Sequence, residues 1–431
     1  MSQAVPEIDF ASAETIQCPF HAYRELRDEA PVWKDPITST FQVTRYEDVR
    51  KIVLDPENFP NGAGATSPIE MLRSIPDPTP EIKAMLELEI EIQKLYEEDG
   101  WVPTVSLLGY DGERHTGLRK LFDDFLKPAR IERWKPHVAD VANERIDGFI
   151  AKGTCDWTEE FSSYFPGYVM GPIIGVPRED IPMVKDWTVA WIDRLGMMQT
   201  PEERIESVRQ EIQAQKYFYG LIQKVRETPD DSWLSHLVNT EVPAWGRKLN
   251  ENEIMSELMI DVFVGGAETT THALNAGMWL LAGNPEVQEK VYSDPEKYVG
   301  PFIEEVLRLE TPAQGTSRTT VKDMELHGVH IPAGSTLLLR PGAANRDDRR
   351  YDNPDDIDLD RKNPRTHLTF TTGKHHCVGA PLARQELNIA FQTVTQRMKD
   401  ITFTPDKNDF AVIRNYFMRG LKQLHIDFTA R

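Results

Sequence analysis

Phe370-Thr-Thr-Gly373-Lys-His375-His-Cys377-Val-Gly379-Ala-Pro-Leu-Ala-Arg384 is the stretch that says most about this chain. Glycines stand four residues before the cysteine and two after it. Glycine at such places lets backbone approach a flat ligand closely and turn its amides toward a thiolate. Amide donors lower the electron donation of a sulfur ligand and tune the potential of the metal it holds. An apolar helix is expected to follow at once, over Pro381 to Val394, and its positive end would stabilise the sulfur anion. Cys377 is therefore the candidate metal ligand. Cys18 and Cys155, the other two cysteines, have none of the close pairing that marks a zinc site or a disulfide framework.

Two further motifs lie upstream. Gly265-Gly266-Ala267-Glu268-Thr269-Thr270 falls inside an expected helix from about Glu253 to Ala282. Adjacent glycines in a helix interior cost about 1 kcal/mol each relative to alanine, so a local reason is needed, such as a groove widened to admit a small ligand. In Glu305-Val-Leu-Arg308 a glutamate and an arginine three apart share one helix face and can pair.

Taken together, these motifs resemble the cytochrome P450s, soluble bacterial class, whose cysteine loop reads F-x-x-G-x-H-x-C-x-G followed by a helix. Every position of that pattern is present here. The resemblance implies haem b (iron protoporphyrin IX) with Cys377 as axial thiolate, the loop positions Phe370, Gly373 and Gly379 around it, and Gly265 and Gly266 on the long distal helix. It implies proton delivery by Glu268 and Thr269, so that the O–O bond of O2 breaks heterolytically. It makes Glu305 and Arg308 a buried pair that locks the helix to a meander around Asp355, Asp358 and Arg361. The two propionates of a buried haem need cations, and His115, Arg119, Arg318 and His375 match the family positions for them. Substrate-contacting positions map to Asp261, Val264, Gly265, Ala313 and Phe417.

Composition agrees with a large globular chain. There are 431 residues, about 40% of them hydrophobic, and a net charge of −20. Such acidity argues against nucleic acid or an anionic membrane as the main partner. With no basic leader over Met1 to Ser12 and no apolar run of roughly 18 residues, a cytoplasmic protein is expected. The fold class is mainly α with a minor β region. A helix is expected over Phe20 to Glu29. Helical spacing runs from Glu113 to Leu309, broken at Pro128, Pro172, Pro182, Pro201, Pro285, Pro295 and other prolines. Strands are expected near Pro31 to Trp33, Phe41 to Arg45, Thr319 to Leu326, Thr336 to Leu339, Ile401 to Thr404 and Leu424 to Phe428. A single domain over 1–431 is expected, haem lying between the distal helix and the cysteine-loop helix. Segments 61–103 and 177–226 are expected to form a mobile substrate lid.

Arg361, Lys362, Arg365, Lys374 and Arg384 surround the cysteine without an intervening acid, a local charge of +5. Lys127, Arg130, Arg133 and Lys135 could extend that face. It fits a docking surface for an acidic, ferredoxin-type redox partner with an NAD(P)H-dependent reductase, since the chain has no flavin or iron–sulfur domain of its own. A monomer acting on a hydrophobic small molecule is expected. Two rivals are a peroxide-driven peroxygenase, which would not need Glu268 and Thr269, and a non-catalytic haem-based binding protein or sensor. Asp261 is open to two readings: it meets solvent or a basic residue such as Arg194, or it accepts a hydrogen bond from a substrate hydroxyl or amine.

Overall fold

A computed structural model describes residues 6–61 and 67–431, without the side chains of residues 263 and 264. The chain's contacts divide into two compact units. The first comprises Met1–Pro60, Leu126–Val169 and Gly266–Arg431, and the second Asn61–Phe125 and Met170–Gly265. Helix dominates both, and the strands lie in the first.

In the first unit a four-stranded sheet runs in the order Val32–Lys34, Phe41–Val43, Thr336–Leu339, Thr316–Thr319. Phe41–Val43 pairs parallel to Thr336–Leu339, and the other two pairings are antiparallel. Strand residues Val32, Phe41, Val43, Leu337 and Leu339 bury one face against Tyr46, Val49 and Ile52 of the helix Tyr46–Val53. A second sheet joins Thr154–Asp156, His425–Ala430 and Met398–Phe403, and Met324–Leu326 with Val329–Ile331 makes a hairpin. The strand expected over Thr319 to Leu326 is thus two strands, divided at Thr320 to Asp323. Thr154–Asp156 escapes sequence reading because three residues are too few to show alternation.

The prolines behave as expected at Pro128, Pro201, Pro285 and Pro295, each in the first turn of a helix. Pro172 does not break its helix, Phe165–Ile174. Proline removes the N–H that would bond the carbonyl four residues back. Here that carbonyl, on Tyr168, meets His137 Nε2 at 3.2 Å instead.

In the second unit, the acidic stretch Glu81 to Glu98 is helical, as its sequence suggests, within a helix of twenty residues from Pro80 to Asp99 that follows the shorter helix Pro68–Arg73. Residues 62–66 lie outside the described part. The longer helix packs Ile92 and Tyr96 on Val208 and Ile212 of the helix Pro201–Glu227. Arg204 pairs with Glu89, and Tyr96 donates its hydroxyl to Glu211 at 2.7 Å.

Candidate active site

The cysteine segment, in the first unit, is a loop closed by its own backbone. Cys377 N–H donates to the Phe370 carbonyl at 2.9 Å and His376 N–H to Gly373 at 3.1 Å, while the Thr371 hydroxyl donates to the His375 carbonyl at 2.8 Å. Gly373 has φ +73°, a conformation that side chains resist. Cys377 itself is exposed, just ahead of the helix Ala380–Arg397. A Cβ on Gly379 would lie 3.8 Å from Cys377 Sγ, an ordinary contact, so this glycine sits beside the sulfur without being forced by crowding. A thiol held at the surface of a glycine-lined loop beside a helix N-terminus fits an axial sulfur ligand to a flat metal group, and the residues present fit haem.

The helix Pro295–Leu309 backs this loop. Glu305 and Arg308 are fully buried and joined by two hydrogen bonds, Nε to Oε1 at 2.7 Å and Nη2 to Oε2 at 2.8 Å. Arg361 Nε adds a third bond to Glu305 at 3.0 Å, and Asp358 contributes its backbone N–H at 2.9 Å. Arg308 also donates to the carbonyls of Asn345 at 3.1 Å and Asp356 at 2.8 Å. The carboxylates of Asp355 and Asp358 take no part. Asp355 pairs with Arg24 and Arg346 instead. Burial would raise the Glu305 pKa, but the bonds from Arg308 outweigh it and hold the carboxyl below its usual range.

The +5 stretch is smaller as a surface than as a sequence. Arg361 is spent on Glu305, and Arg384 on Glu304 at 2.7 and 3.0 Å. Arg365, its side chain 73% exposed, also approaches Glu304 at 3.3 Å. Lys362 and Lys374 are exposed. Counting charge along the chain could not see two glutamates some 60 to 80 residues upstream.

The distal helix is wound as a π-helix over Glu257–Glu268 and as an α-helix over Thr269–Gly283. A Cβ on Gly265 would meet nothing nearer than the Ile260 carbonyl at 4.0 Å, so crowding does not explain that glycine. The expectation of a widened groove agrees with the π winding. Glu268 is buried, Thr269 is partly buried, and Thr270 donates back to the Gly266 carbonyl at 3.2 Å. Arg318 is buried in its strand and His375 is partly buried in the cysteine loop, both in the first unit. Ala313 bridges Met418, next to Phe417, whose carbonyl accepts from Gln314 N–H at 2.6 Å.

The second unit holds His115, buried, and Arg119, which pairs with Asp123 at 2.9 Å, both on the helix Gly112–Phe125. The side chain of Val264 lies outside the described residues. Asp261 faces Ser106, Leu108 and Glu257. Arg194 is not its partner, because that guanidinium is engaged by Glu211 at 2.7 Å and by Tyr96. Glu257, 1% exposed, accepts Leu107 N–H at 3.0 Å through Oε1. Glu257 Oε2 and Asp261 Oδ2 find no donor. Two buried carboxyls that face each other satisfy both oxygens by sharing a proton. Burial, then the Asp261 charge, push Glu257 far above the usual carboxylate range, and burial lifts Asp261 to about 6. Glu257 escaped sequence reading, although its place four residues before Asp261 was a usable signal. A small cavity of about 20 Å³ lies elsewhere in this unit, lined by Val184, Trp187, Trp191, Phe218 and Met259 among others.

Comparison with known proteins agrees with this geometry. The family model described as Cytochrome P450 matches residues 186–409. Cytochrome P450 130 of Mycobacterium tuberculosis is 31% identical over 400 residues, covering 91% of each chain. A crystal structure of P450BioI in complex with hexadec-9Z-enoic acid ligated acyl carrier protein has a TM-score of 0.80 and 28% identity, covering 97% of this chain and 100% of that one. CYP109E1 of Bacillus megaterium in complex with testosterone has a TM-score of 0.77 and 26% identity, covering 95% and 99%. With a cysteine loop of this form and matches that span nearly its whole length, the chain belongs to the cytochrome P450 family, the haem-thiolate monooxygenases.

Proposed function

We propose that this protein inserts one oxygen atom from O2 into a hydrophobic small organic substrate, with electrons that reach it from NAD(P)H through a separate ferredoxin and reductase. The observation that carries this is the cysteine loop, closed on the Phe370 carbonyl and backed by the buried Glu305–Arg308–Arg361 cluster. Haem, when bound, supplies the redox-active iron at which dioxygen is reduced. Cys377 would hold it through Sγ, with Gly373 and Gly379 shaping the loop on either side of that sulfur. Arg318 and His375, both in the first unit, would supply positive charge or hydrogen bonds for its carboxylates. Glu268 passes protons inward from its carboxyl, and Thr269 hands them on through Oγ1. That buried acid with its neighbouring alcohol favours use of O2 over a peroxide-driven reaction.

Lys362, Lys374 and the outer part of Arg365 form the docking surface for the acidic electron donor, continued by Lys127 and Arg133, which are exposed. Lys135 adds less, being paired with Glu132 at 2.7 Å. A fatty-acyl chain and a steroid are the ligands named with the two related structures, and a substrate of comparable apolar bulk agrees with Ala313 and Phe417 as contact residues.

The test is spectroscopic. The reduced, carbon monoxide-bound protein should show the absorption of thiolate-ligated haem, Cys377→Ser should abolish it, and Cys18→Ser and Cys155→Ser should keep it. Retention of the band in Cys377→Ser would remove Cys377 as the ligand. NADH consumption with ferredoxin partners, stimulated by a compound that displaces the iron's water, then identifies the substrate.

A further inference from the structure

Glu304 and Glu305 are neighbours on one helix but hold different things. Glu305 ties that helix to the meander through Arg308, Arg361 and the Asp358 N–H. Glu304, 4% exposed, reaches both ends of the cysteine segment. Its Oε1 accepts from Arg384 Nε at 2.7 Å and lies 3.3 Å from Arg365 Nε. Its Oε2 accepts from Arg384 Nη2 and meets His367 Nε2, each at 3.0 Å. Burial works to raise its pKa, but the bonds from His367 and Arg384 prevail and hold it down at about 2, so Glu304 is a permanent anion.

The two groups it holds grip one ring. The Arg384 guanidinium lies 4.6 Å over the centre of Phe370, and the His367 ring stands 6.1 Å from it, tilted by 43°. The carbonyl of that same Phe370 receives the Cys377 N–H. The Thr371 hydroxyl shapes the loop from within by donating to the His375 carbonyl, and Thr369, beside Phe370, adds a second tie to the helix of Glu304 through its bond to the Leu307 carbonyl at 2.7 Å. We propose that Glu304 is a positioning residue for the cysteine ligand, acting through Arg384 and His367 on the ring of Phe370. A cation held over an aromatic face is attracted to it, and an arginine anchored at two points loses little freedom on making that contact. Released from Glu304, Arg384 swings free, Phe370 can shift, and the Cys377 amide moves with the carbonyl it is bonded to. The sulfur then becomes easier to protonate, and its donation to the iron changes.

This rests on Cys377 as the ligand, and the test separates the two claims. Glu304→Gln, Glu304→Asp, Arg384→Lys and His367→Gln are prepared as loaded, full-length protein. Three quantities are measured: the reduction potential, the rate at which the thiolate-type band of the reduced carbon monoxide form converts to the thiol type in mild urea, and the global unfolding midpoint. Glu304→Gln should convert roughly tenfold faster than the parent, with a displaced potential. Glu304→Asp should restore part of the difference, and Arg384→Lys, which keeps charge but loses the two-point contact, should be intermediate. If Glu304→Gln does not load, a faster conversion in both Arg384→Lys and His367→Gln supports the proposal. A lowered unfolding midpoint with parental conversion rate and potential would make Glu304 merely structural and overturn it. Absence of the thiolate-type band from the parent would instead overturn the ligand assignment.

Discussion

Glu257→Gln replaces one of two facing carboxyls by an amide that can still accept the Leu107 N–H and can donate to Asp261. In the unfolded chain these acids ionise near their ordinary values of 3.8 and 4.5, whereas in the folded protein Asp261 keeps its proton to about 6 and Glu257 well beyond. Below both ordinary values the two states bind the same protons and the pair does not affect stability. As pH rises, the unfolded chain releases protons that the folded one retains, so stability falls by about 1.4 kcal/mol per pH unit for each retained proton. The Asp261 contribution saturates near its folded value, at about 3 kcal/mol lost. Glu257 continues to act above that. From about pH 6 to about pH 8 the parent should therefore go on losing stability relative to Glu257→Gln, which has no such proton to retain. Urea unfolding followed by circular dichroism at the two pH values measures this difference directly, provided both proteins give the same slope against denaturant. Parallel stability curves for parent and variant would refute the shared proton and require a cation beside the pair.

Three further outcomes are expected. Glu305→Gln leaves Arg308 buried beside a neutral partner and should destabilise the first unit by about 3 to 5 kcal/mol, measured by urea unfolding, whereas a loss under 1 kcal/mol would show that the backbone carbonyls accepting from Arg308 suffice. Thr269→Ala should retain haem but divert reducing equivalents to peroxide, so unchanged product per NADH consumed would remove Thr269 from proton delivery. Lys362→Glu with Lys374→Glu should slow ferredoxin-dependent reduction at low salt and much less at high salt, because charges are screened beyond about 10 Å at 0.1 M. Equal rates at low salt would place the electron donor elsewhere.

The local features of this protein were legible in its residues. Glycines around Cys377, a glutamate and arginine three apart and prolines in first helical turns all express backbone geometry over a few residues, where spacing and direction are nearly equivalent. The helical middle and the position of most strands follow for the same reason. Partners distant in the chain were a different matter. Nothing in the run from Arg361 to Arg384 tells that Arg361 ends on Glu305 while Arg365, His367 and Arg384 converge on Glu304, because those glutamates come from a helix far upstream. Nor could Asp261 be read alone. A buried carboxylate needs either a cation or a proton, and the sequence offered Arg194 as the cation. The folded chain commits Arg194 to Glu211 and sets Glu257 against Asp261, so the need is met by a proton. Which charges remain at the surface and which are consumed inside depends on how helices and loops close over one another, and tertiary packing alone decides that.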